Sequence, residues 1–199
     1  TKNIAEDVAE GISKTATSVQ VESASLAKNE SPLHITLLQG IASGTRMDYT
    51  IQKATELGVT AIQPLATERS VVKLSAERAE KRLAHWQNIV YSACEQCGRA
   101  SIPSVLAPLS LSQWLAKHAG SHSTRILLNP VGATRLADLS VDHGSIALLI
   151  GAEGGLTDAE IRLASQHGFQ SIVLGPRILR TETAALTAIT VMQSLWGDF

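Results

Sequence analysis

The sequence predicts an α/β protein in which helices cover both faces of a mainly parallel, six-stranded sheet. Three observations lead there. Short apolar runs at 35–38, 61–65, 105–106, 126–128, 146–150 and 172–174 alternate with longer stretches of helical spacing, and that alternation builds βαβ units whose strands lie parallel. Several runs end at Gly, Pro or Asn, as buried strands do where they open into loops. At 199 residues, 44% hydrophobic and 18% charged, the chain is long and apolar enough for one ordinary core with a small appendage.

Residues 1–33 are rich in Ser, Thr, Ala, Lys and Glu, and only 17–22 alternate like a half-exposed strand. From Pro32 the pattern is regular. The strand at 35–38 leaves through Gly40 and Gly44, and Met47, Ile51, Ala54 and Leu57 then recur at helical spacing until Gly58. After the strand at 61–65, Ser75 is placed to cap a long helix with the stripe Leu83, Trp86, Val90, Ala93 and Cys97, ending at Gly98. A short strand at 105–106, a helix over 111–118 closed by Gly120, and a strand at 126–128 running into Asn129-Pro130 follow.

The run at 146–150 stops at Gly151 and opens into Gly-Ala-Glu-Gly-Gly. Thr157 and Glu160 then have the spacing of a capping box, in which each side chain satisfies a free N–H of the first helical turn. Gly168 ends that helix. The run at 172–174 meets Gly175-Pro176 and repeats the plan, leading to a last helix with the stripe Ala185, Ile189, Met192 and Trp196. Two glycine-bearing strand exits, each followed by a helix, predict a ligand crevice at the carboxyl edge of the sheet. Neither exit is the dinucleotide fingerprint, which needs G-x-G-x-x-G entering a helix directly. Glycines at a strand end also serve simply to turn the chain.

The segments Ile150-Gly151-Ala152-Glu153-Gly154-Gly155 and Leu174-Gly175-Pro176-Arg177-Ile178-Leu179-Arg180-Thr181-Glu182-Thr183-Ala184 together resemble the signature of the RsmE family of ribosomal RNA small-subunit methyltransferases. Blocks at 46–48, 53–59, Pro64, Glu68-Arg69-Ser70 and 95–99 extend the resemblance over roughly 32–196. It implies transfer of a methyl group from S-adenosylmethionine to N3 of a uridine in small-subunit (16S) ribosomal RNA. It also implies the SPOUT fold, with a deep trefoil knot near the C-terminus, a SPOUT domain at 34–199, and a homodimer. Such proteins begin with a PUA-like β-barrel, of which 1–33 resembles only a truncated or divergent remnant. A SPOUT enzyme acting on another RNA nucleotide, or a catalytically silent RNA-binding or assembly protein, remains an alternative.

Carried onto this sequence, the resemblance expects three loops to hold the cofactor. The first is Leu128-Asn129-Pro130. The second comprises Ile150, Gly151, Glu153, Gly154 and Gly155. The third comprises Leu174, Gly175, Ile178, Leu179, Arg180, Thr183 and Ala184. A sulfonium methyl is already electrophilic, so the enzyme must align the displacement and make uridine N3 a nucleophile. Arg180 is expected to stabilise the N3 anion through the flanking carbonyl oxygens. Glu153 is expected to complement the cofactor's positive charge or accept the proton, with Glu182 completing the catalytic group. The plain alternative is that Glu182 merely complements a helix dipole and Arg180 is a solvated charge.

The net charge of −1 argues against a surface that grips nucleic acid everywhere, so RNA contacts are expected locally, at Arg46, Lys53, Arg69 and Lys73. Cationic helix positions are as readily a solvated face. Cys94 and Cys97 form a lone C-x-x-C inside a predicted helix, which fits buried free thiols, and the six histidines show no ligand spacing. No metal is expected. No signal-peptide pattern opens the chain and no apolar run approaches membrane-spanning length, so the default expectation is a cytoplasmic protein without a membrane contact.

Overall fold

The structure, a computed structural model, describes residues 20, 29–72, 76–121, 124–131, 134–139, 141 and 144–199. The stretch at 17–22 apart from Gln20, most of the expected barrel remnant at 1–33, Lys73 and the Ser75 cap lie outside these residues. In chain order the elements are β1 (His34–Gly40), α1 (Thr45–Glu56), β2 (Ala61–Ala66), α2 (Ala76–Cys97), β3 (Ser104–Val105), β4 (Leu109–Ser110) and α3 (Leu111–Lys117). Then come β5 (Thr124–Leu128), β6 (Thr134–Arg135), a 3-10 turn (Leu136–Asp138), β7 (Ser145–Ile150), α4 (Asp158–Gln166), β8 (Gln170–Val173) and α5 (Thr181–Trp196).

The sheet has eight strands rather than the six expected, in the order β3-β2-β1-β7-β5-β8-β6, with β4 also on β2. Every paired strand runs parallel. The two additional strands, β4 and β6, are two residues each. So short a strand carries no periodicity, and only its pairing partner reveals it.

Alternation along the central strands splits the core in two. Ile35 and Leu37 of β1, Ile126 of β5 and Ile146, Leu148 and Ile150 of β7 pack with Met47, Ile51, Trp86, Val90, Ile189 and Met192 of α1, α2 and α5. Leu38, Leu127, Ala147 and Leu149 point the other way, onto Leu111, Trp114, Leu115, Ala164 and Phe169 around α3 and α4. The result is a three-layer sandwich. The helical stripes read from the sequence face these layers, except that Trp196 is only half-buried and Leu195 is exposed. Cys94 is buried, whereas Cys97 is only partly buried; both are free thiols. Burial pushes the Cys94 thiol up.

Chain order at the carboxyl edge matters for the site. The chain lays down β5 and then β6, crosses to β7 on the opposite side of β5, and inserts β8 between β5 and β6. The exits of β5, β7 and β8 therefore stand side by side.

Candidate active site

Those exits enclose a cavity of about 610 Å³, a size suited to a small-molecule ligand. Its floor is the glycine loop after β7. A Cβ at Gly40, at the end of β1, would lie 2.3 Å from the Ala152 nitrogen and 2.6 Å from the Gly151 carbonyl carbon. A Cβ at Gly151 would lie 2.6 Å from the Gly155 carbonyl carbon. The loop is thus pressed against β1 and folded on itself, which only residues without side chains permit.

Polar side chains lock the loop from below. Gln39, fully buried in β1, donates from Nε2 to the Thr181 hydroxyl at 2.8 Å, and that hydroxyl donates to the Gly151 carbonyl at 2.6 Å. One chain of bonds therefore joins β1, the β7 exit and the first turn of α5. On the far side, Arg69 Nη1 donates to the Gly154 and Leu156 carbonyls at 3.2 and 3.1 Å. The capping box at Thr157 and Glu160 forms as expected, and Glu160 Oε1 also accepts from the Glu68 N–H at 3.0 Å. Asn129 braces the third wall: its N–H donates to the Ile172 carbonyl and its Oδ1 accepts from the Val131 N–H.

Carboxylates and guanidinium groups meet on the wall formed by α1. Glu153 Oε1 accepts from the Ser43 N–H at 2.8 Å, the Ser43 hydroxyl at 2.7 Å and Arg46 Nη1 at 3.1 Å. Burial alone would raise the Glu153 carboxyl, but the two Ser43 bonds and the Arg46 bond outweigh it and hold it at about 2. Arg46 also reaches Glu182, Nε to Oε1 at 3.8 Å, while Glu182 Oε2 is buried and has no hydrogen-bond partner among the described residues. Arg177 and Arg180, in contrast, are exposed on the cavity wall, and among the described residues no hydrogen bond or ion pair engages either guanidinium.

Every expected cofactor residue except Thr183 lines this cavity, as do Glu153, Glu182 and Arg180 of the expected catalytic group. Thr183 is exposed and stands outside the cavity wall. The expected RNA residues divide. Arg46 and Arg69 lie on the wall, held by the bonds just described. Lys53 lies away from the cavity, paired with Glu56 at 2.7 Å, a bond that raises its pKa. Gln39, Ser43 and Thr181 escaped the sequence reading as site residues. The signal was faint: Gln39 is a polar residue at the end of an apolar strand, a position that needs a buried partner.

Comparison with known proteins places the chain in a family. The RNA methyltransferase domain family matches residues 29–193. Over 169 residues the chain is 42% identical to ribosomal RNA small subunit methyltransferase E of Buchnera aphidicola subsp. Schizaphis graminum, covering 85% of this chain and 68% of the relative. It is 35% identical over 191 residues to the Bacillus subtilis protein of the same name, covering 92% and 74%. Among solved structures, ribosomal RNA small subunit methyltransferase E from Neisseria gonorrhoeae bound to S-adenosyl methionine superposes with a TM-score of 0.82 at 50% identity, over 88% of this chain and 71% of that one. A Legionella pneumophila methyltransferase with bound cofactor SAM gives 0.82 at 46% identity, over 86% and 70%.

Proposed function

The chain belongs to the ribosomal RNA small subunit methyltransferase E family, and on that premise we propose that it transfers the methyl group of S-adenosylmethionine to N3 of a uridine in small-subunit ribosomal RNA. The observation that carries the proposal is the meeting of the Gly-Ala-Glu-Gly-Gly loop and the Arg-Ile-Leu-Arg loop around one cavity at the strand exits. The cavity fits the cofactor's chemistry. At Gly155 nothing stands within 4 Å of where a Cβ would be, so the main chain there is open to an adenine and a folded methionine. Its wall carries Glu153, held ionised, and Glu182, with an unpartnered buried oxygen, both suited to a cationic ligand.

When bound, S-adenosylmethionine supplies an electrophilic methyl group. The chain's own task is to bind, orient and create the nucleophile. Leu128, Asn129 and Leu174 with the glycine loop hold the cofactor. Arg180, exposed and unpaired, donates to the carbonyl oxygens flanking uridine N3 and stabilises the anion formed when N3 loses its proton. Glu153 complements positive charge and is not the base: its Oε1 is committed to Ser43 and Arg46, and a carboxyl held at about 2 is a poor proton acceptor near neutral pH. The proton leaves to solvent.

The insertion of β8 between β5 and β6 supports the reading that this edge is the family's trefoil knot. Exposed Leu195 near the end of α5 supports self-association as a homodimer, which light scattering tests. Among the described residues no helix is long and apolar enough to cross a membrane, and no group of three ligating side chains is gathered for a metal. Action in the cytoplasm, where ribosomal subunits are found, belongs to the same reading. The deciding experiment is transfer of labelled methyl to unmodified small ribosomal subunits followed by nucleoside mass spectrometry. 3-Methyluridine is the expected product; another methylated nucleoside, or none with cofactor bound, overturns the assignment.

A further inference from the structure

Val131 and Ile178 are the most exposed large apolar side chains among the described residues, at 89% and 85%. Neither is an isolated surface residue. Both line the cavity, Val131 on the loop after β5 and Ile178 on the loop after β8. These strands are hydrogen-bonded neighbours, and the Asn129 N–H donates to the Ile172 carbonyl at 3.0 Å, so the loops leave the sheet together. Ile178 also sits between Arg177 and Arg180, both exposed and unpaired. Apolar side chains gathered at a ligand site and rimmed by cations mark contact with something that has apolar faces and negative charge. Single-stranded nucleic acid has both, in its base faces and its phosphates.

The inference rests on the reading of the cavity as a uridine N3 methyltransferase site. N3 lies on the Watson–Crick edge and is occupied in any base pair. The target uridine must therefore be unpaired when N3 meets the cofactor, and enzymes that act on a base take it out of its stack. Apolar side chains that cover the neighbouring base faces offset the cost of unstacking. From the placement of the two side chains we infer that Val131 and Ile178 form an apolar wedge flanking the extruded uridine, with Arg177 on an adjoining phosphate. A second copy of the chain is the competing occupant. Joining two such patches would bring Arg177 and Arg180 of both copies towards one another, whereas a polyanion matches them.

The test compares wild-type chain with Ile178→Ala, Val131→Ala and the double variant, and uses Ile178→Val as the conservative control. Binding to unmodified small ribosomal subunits is followed by filter retention, cofactor affinity by calorimetry with S-adenosylmethionine alone, and mass by light scattering. Val131→Ala should bind subunits about 5–10-fold more weakly, with cofactor affinity within about twofold and mass unchanged; the double variant should bind subunits about 10–50-fold more weakly, on the scale of lost base contacts, while Ile178→Val stays near wild type. Unchanged subunit binding overturns the inference. So does a fall in mass, which would make the patch a copy-to-copy interface, or an equal loss of cofactor affinity, which would make it a cofactor wall. Wild-type chain that binds cofactor but methylates no subunit overturns the functional reading and the wedge with it; methylation by wild type with unaltered variants overturns the wedge alone.

Discussion

At the scale of single residues, the site separates charges that are spoken for from charges that are free. Arg46 and Glu153 hold one another, and Arg180 waits unpaired at the mouth. Arg180→Ala should therefore lower kcat by about 10²–10³, the usual cost of removing one preorganised donor, while the Kd for S-adenosylmethionine changes by less than about threefold. Single-turnover transfer beside calorimetry checks this, and equal losses in both would remove Arg180 from the chemistry. Glu153→Gln makes the opposite pattern. Because the folded carboxyl is held at about 2, below its value in the unfolded chain, its stabilisation is present above about pH 4.5 and is lost as pH falls towards 2. The variant should melt about 2–4 °C lower at pH 7, or ~1 kcal/mol for a partly exposed group in a chain of this size, and the gap should close near pH 2. Its methyl transfer should still rise with pH as wild type does; a flattened profile would restore Glu153 as the base.

At the scale of elements, the glycine loop is held by close approach as well as by hydrogen bonds. Gly40→Ala drives a methyl into the backbone of Gly151 and Ala152, with nothing flexible to yield. It should destabilise the fold by more than the ~1–3 kcal/mol of ordinary overpacking and abolish cofactor binding. Gly44 is the useful contrast. It has φ of +53° with ψ of −134°, a conformation outside the left-handed helical region that glycine alone adopts readily, but open space where a Cβ would stand, so Gly44→Ala should cost about 1–3 kcal/mol through backbone strain and leave the pocket able to bind. Denaturation and calorimetry on the pair separate backbone strain from steric exclusion.

At the scale of the whole molecule, the two ends of the described chain are tied to the middle. Gln193, fully buried in α5, donates to the Leu57 carbonyl at 2.8 Å and accepts from the Ser31 hydroxyl at 2.6 Å, so the last helix is locked across the end of α1. Arg99 donates to the Thr55 and Val59 carbonyls and pairs with Glu30 at 2.8 Å, fixing the chain just ahead of β1 to the α2 terminus. With a net charge of −1, the molecule has no general attraction for RNA, and besides Arg180, assigned to the uridine, the cavity wall carries Arg69 and Arg177 as cations for phosphate. Binding to subunits should accordingly weaken only gently with salt. About two neutralised phosphates predict a slope of log K against log salt of about −1.4, measurable by filter binding between low and physiological salt. A slope several times steeper would require a basic surface beyond this mouth.

The sequence by itself determined the layers and the place of the site. Apolar runs, helical stripes and glycine exits report local periodicity and turn chemistry, and these follow from near neighbours in the chain. Hence β1, β2, β5, β7 and β8 stand where their runs lie, the capping box at Thr157 closes as its spacing requires, and the strand-exit loops gather round one cavity. Tertiary structure alone decided which charges remain free. Arg46 meets Glu153 across 107 residues, and Thr181 reaches Gly151 across 30. Those partners are chosen by strand order and by the absence of a Cβ at Gly40, which no local pattern records. The same folding made Arg46, an expected RNA contact, the partner of two carboxylates, and left Arg180 unpaired among the described residues, because an ion pair forms only where packing brings its two halves within reach.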